Sequence, residues 1–74
     1  QDKVYKIEFH THEDYLRFLS AGFEMSERRE GQNQVLVNVN DRNINAFTKA
    51  LTGYDLKFIS ETKFTLEDYF QSLY

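Results

Sequence analysis

Two stretches of this chain alternate residue by residue between apolar and polar side chains, and they limit the possible folds more than any other feature. In "VYKIEFH", Tyr5, Ile7 and Phe9 point one way and Val4, Lys6, Glu8 and His10 the other. In "QVLVNVN", Val35, Val37 and Val39 point one way and Leu36, Asn38 and Asn40 the other. Period two with aromatic and β-branched residues predicts half-buried strands. Both are the strand type that a central sheet position requires.

Each strand is followed by a helical pattern. In "THEDYLRFLSAG", Thr11 is a suitable N-cap with Asp14 as its capping-box partner. Tyr15, Phe18 and Leu19 form a stripe with Leu16 beside them, and Gly22 is placed to stop the helix. In "DRNINAFTKALTG", Asn40 or Asp41 caps, Ile44, Phe47 and Leu51 line one face with Ala50 alongside, and Gly53 ends the helix. Between these units "FEMSERR" reads as a weak strand, with Phe23 and Met25 on one face and the rest charged, as befits a sheet edge. Gly31 in "EGQN" is the residue expected to take positive φ in the turn. "DLKFISETKF" alternates again, with Leu56, Phe58 and Phe64 in phase and Ile59 out of phase. "TLEDYFQSLY" closes the chain with a capping box from Thr65 to Asp68 and a stripe of Leu66, Tyr69, Phe70 and Leu73.

The order is β-α-β-β-α-β followed by a short helix. Right-handed crossovers turn it into an α+β, ferredoxin-like fold: a four-stranded antiparallel sheet with two helices on one face. The 74 residues make one domain, 1–74, small enough to be marginally stable. Without cysteine it has no disulfide, so aromatic residues, 16% of the chain, must build the core. The chain opens on Gln1-Asp2 rather than Met, which reads as a processed protein or a piece of a longer one.

The net charge of −3, with cations scattered among acids, gives no basic stripe for nucleic acid or an anionic membrane. No apolar run approaches the roughly 20 residues of a membrane-spanning helix. "HTHED" places His10 and His12 near Glu13 and Asp14. A metal is conceivable there, but one histidine ends a strand, the other starts a helix, and acids suit a first helical turn without any metal. No phosphate-binding glycine loop or nucleophile elbow is present, and Glu67 and Asp68 are adjacent on a helix and point apart. Base stacking on an open sheet would need aromatics there. The expected open face holds Val4, Lys6, Glu8, His10, Leu36, Asn38, Lys57 and Ile59 instead. A stand-alone ferredoxin-like regulatory domain binding a small ligand is the remaining alternative. It would bring a glycine-bearing loop after the first strand, where this chain has "HTHED".

The last helix is too short to persist unsupported and must dock, on its own domain or on a partner. "TKFTLEDYFQSLY" resembles the C-terminal signature of bacterial ABC transporter ATP-binding subunits of the drug-, bacitracin- and lantibiotic-export type. In those subunits a Pro/Ser/Thr-Leu-Glu-Asp-aliphatic-Phe pattern closes a small accessory domain. The match falls on Thr65, Leu66, Glu67, Asp68 and Phe70, with Leu73 trailing and Tyr69 at the aliphatic position. "YDLKFISET" resembles the strand leading into that signature, and "VYKIEF" the strand that opens the accessory domain. The resemblance implies a non-catalytic, cytoplasmic accessory domain, not itself an enzyme, excised from a longer chain. ATP and magnesium would be held upstream, and the segment itself would hold no cofactor or metal. The implied partners are the ATPase core, a homodimer mate and the membrane permease, with no nucleic acid and no insertion into the membrane. The residues implied in docking are Leu66, Tyr69, Phe70 and Leu73.

Overall fold

A computed structural model describes residues 2–62. Its elements are β1 (Lys3–Phe9), α1 (His12–Leu19), β2 (Glu24–Arg29), a 3-10 turn (Glu30–Gln32), β3 (Gln34–Val39), α2 (Ile44–Leu51) and β4 (Leu56–Thr62). The strands form one sheet in the order β2-β3-β1-β4, and every neighbouring pair is antiparallel. The two alternating strands take the two central positions. The expected closing helix over Thr65–Tyr74, and Phe64 with it, lies outside the described residues.

Both described helices bury their stripes on one face of the sheet. The core is Ile7 and Phe9 of β1, Val35, Val37 and Val39 of β3, Tyr15 and Phe18 of α1, and Phe47 of α2. Tyr5, Leu19, Phe23, Met25, Ile44, Leu51, Tyr54 and Leu56 pack around it. Slender valines on β3 leave room for rings: Phe18 meets Phe9, Phe23 and Tyr54, and Phe47 meets Tyr5 and Phe23, with centroids 5.3–5.7 Å apart. Such contacts add to the area term.

Local signals hold in part. The Thr11 side chain accepts from the Asp14 N–H (3.1 Å), the first half of a capping box. The Asp14 carboxylate does not complete the box and reaches across to another loop instead. Gly22 has φ of +92°, as a left-handed residue should, but α1 has already ended at Leu19, so Gly22 turns the linker rather than the helix end. The second turn corrects the expectation for Gly31: Asn33 is left-handed there, with φ of 53°. Its carbonyl accepts from Phe9 N–H (2.9 Å), which ties the turn to β1. Asn tolerates this backbone where a β-branched residue would not. Asn33→Val should therefore destabilise the protein by about 1–2 kcal/mol in urea denaturation, and Asn33→Gly far less.

The start and end of α2 also differ from expectation. Regular helix begins at Ile44. Asn40 caps the turn before it, its Oδ1 accepting from Arg42 and Asn43 N–H (2.9 and 3.0 Å). Gly53 keeps negative φ and donates to the Ala50 carbonyl (3.0 Å) as the helix closes.

The largest correction concerns β4. Its register against β1 shifts between Glu8 and Phe9, so Phe9 pairs with Leu56 and Glu8 with Phe58, skipping Lys57. The extra residue reverses the phase. Ile59 pairs with Ile7 and lies on the helix side, while Phe58 joins Glu8 on the opposite side. A similar shift at Ser26 interrupts β2. Both irregularities sit on edge strands, where they discourage pairing with another sheet.

Candidate functional site

"HTHED" builds two polar joints. His12 opens α1 and donates from Nδ1 to Asn33 Oδ1 (2.9 Å). Its Nε2 lies 3.8 Å from the Glu30 carboxylate, and its ring stacks on Tyr15. His10 lies past the end of β1, where its N–H donates to the Asp55 carbonyl (3.2 Å). Among the described residues, no group of three or more His, Cys, Asp or Glu could hold a metal ion.

The second joint centres on Asp14. Its Oδ2 accepts from Asp55 N–H (3.0 Å), and its Oδ1 accepts from Arg17 Nε and Nη2 (3.3 and 2.9 Å). Arg17 Nη2 also donates to the Gly53 carbonyl (2.9 Å), and its guanidinium lies 4.5 Å from the Tyr54 ring centre. One carboxylate and one guanidinium thus fasten α1 to the loop between α2 and β4.

The Asp55 N–H, and next the Arg17 side chain, hold the Asp14 carboxyl below the ordinary aspartate range. A lowered folded-state value means the joint stabilises fully above the unfolded aspartate value of about 3.9 and is lost as pH falls through the lower folded one. Melting temperature should therefore drop on acidification below about pH 4. Asp14→Asn should lower it at pH 7 and flatten that acid slope. Glu8 and Glu27, whose carboxyls are also held low, by Gln34 and Arg29 first, would keep part of the slope.

The other notable surface is the sheet face away from the described helices. Ladder partners define it: Val4 with Asn38 and Thr62, Lys6 with Leu36 and Ser60, Glu8 with Gln34 and Phe58. Across β3, Glu24, Glu27 and Arg29 extend the same three rungs. Val4, Leu36 and Phe58 supply the apolar surface, with Phe58 45% exposed. Glu8 sits between two donors, Gln34 Nε2 (2.8 Å) and Lys57 Nζ (3.3 Å). Because Glu8 can only accept, Gln34 must present its NH2 group to it. Gln34 Oε1 is then left buried without a hydrogen bond, as is Asn38 Oδ1. Buried polar atoms without partners are uncommon in folded proteins. A pocket of about 290 Å³ opens beside Asn38, lined also by Asp2, Phe23, Glu24, Asn40 and Asn43.

The face away from the described helices differs from the expected one in two residues that matter. Phe58 is on it and Ile59 is not, so one aromatic stands where none was expected. Val4, Lys6, Glu8, Leu36 and Asn38 are where alternation places them. The expected docking residues Leu66, Tyr69, Phe70 and Leu73 lie outside the described residues. Sequence reasoning missed Asn33, Arg17 and Tyr54. An Asn in a turn was the available signal for the first, while nothing local marks Arg17 and Tyr54 as neighbours. Compared with known proteins, the chain matches no family model and no curated sequence.

Proposed function

We propose that this chain is a ferredoxin-like, non-catalytic accessory domain that closes an ABC transporter ATP-binding subunit, working at the cytoplasmic side of a membrane permease. The observation that carries the reading is the pairing of the two strands that share the resemblance. "VYKIEF" forms β1, "LKFISET" forms β4, and they are neighbours, from Phe9–Leu56 to Val4–Thr62. The strand that opens such a domain and the strand that leads into its closing signature thus stand side by side, and in the sequence "TLEDYF" begins two residues after β4, past Lys63 and Phe64. The antiparallel order β2-β3-β1-β4 and the two helices packed on one face agree with a ferredoxin-like topology.

In this reading the domain contributes binding surface and no chemistry. Its polar clusters serve as joints: His12 with Asn33, Asp14 with Arg17 and Asp55. ATP and magnesium belong to the core that precedes it, and the domain packs on that core or supports pairing of two subunits. Among the described residues, no helix is long and apolar enough to cross a membrane. The test is the reading frame upstream of the Gln1 codon. It should encode a phosphate-binding P-loop and the other ATPase motifs of a transporter. A frame without them overturns the proposal.

A further inference from the structure

We draw no further inference here: the strongest candidate, the pocket of about 290 Å³ where β2 and α2 begin, lined by Asp2, Phe23, Glu24, Asn38, Asn40 and Asn43, carries none because its two carboxylates are exposed, Asn38 is only half-buried, and nothing in the structure shows what would fill it.

Discussion

Phe18→Ala should destabilise the domain by about 3–5 kcal/mol and leave much of it unfolded at 25 °C. Phe18 is fully buried, and three rings close on it: Phe9 tilted at 5.3 Å, Tyr54 edge-on at 5.4 Å and Phe23 stacked at 5.5 Å. The substitution removes the ring and leaves a void between α1, β1 and the loop carrying Tyr54. Backbone joints on both sides resist collapse into that void. Asp14 and Arg17 hold α1 to Gly53 and Asp55, and Phe9 N–H is bound to the Asn33 carbonyl. A core of this size supplies only about 3–5 kcal/mol in total, so the expected loss is comparable with the whole. Urea denaturation followed by far-ultraviolet circular dichroism measures it. Leu16→Ala is the control on the same helix: Leu16 is 47% exposed, and its loss should stay within about 0.5 kcal/mol. Equal midpoints for the two variants would mean that α1 does not pack through Phe18.

Phe47→Ala should cost a similar amount, about 3–5 kcal/mol, but with a different pattern of failure. Phe47 is the sole buried residue of α2, whereas α1 buries both Tyr15 and Phe18. Its ring touches Tyr5 at 5.3 Å and Phe23 at 5.7 Å. Ile44 and Leu51 flank the core without entering it fully. Free of its anchor, an eight-residue helix cannot persist, because isolated helices below about 12–15 residues are marginal. Hydrogen exchange should show α2 amides losing protection first, while β1 and β3 retain theirs in any molecules still folded. Uniform loss across sheet and helix would instead make α2 part of a single cooperative unit.

What could be read in advance follows from the range of the forces involved. β1 and β3 were legible because alternation is local and a central strand must obey it on both sides. Phe18 and Phe47 were legible as helical stripe residues for the same reason. The edge strands were legible as strands, but the phase of β4 was not, since one skipped residue at Lys57 exchanges the roles of Phe58 and Ile59, and no local pattern announces the skip. The turn after β2 was placed correctly, but Asn33 rather than Gly31 carries the left-handed backbone. The polar joints were hidden for a stronger reason. Asp14 meets Asp55, Arg17 meets Gly53, and His12 meets Asn33 across distances that only the finished topology closes. A capping box explained Asp14 well enough from sequence, yet its carboxylate is used elsewhere. The face away from the described helices was legible in its central residues, Val4, Lys6, Glu8, Leu36 and Asn38. Its unmatched oxygens were not, because only packing reveals which carboxamide atoms lose water.

The pairing of Val4 with Thr62 sets how the fold responds to force. β1 begins and β4 ends on adjacent, antiparallel positions. Tension applied through whatever lies before Lys3 and after Thr62 therefore pulls the two strands apart sideways. Ladder hydrogen bonds run perpendicular to the strands. They would bear such a load one after another, like the teeth of a zipper, and never all at once as in shear. Among the described residues β4 is an edge strand, so no described strand on its far side shares the load. The domain should peel open from its two ends at low force. A fold built this way suits a place in an assembly where its neighbours move with it, and is a poor tether between parts that move apart.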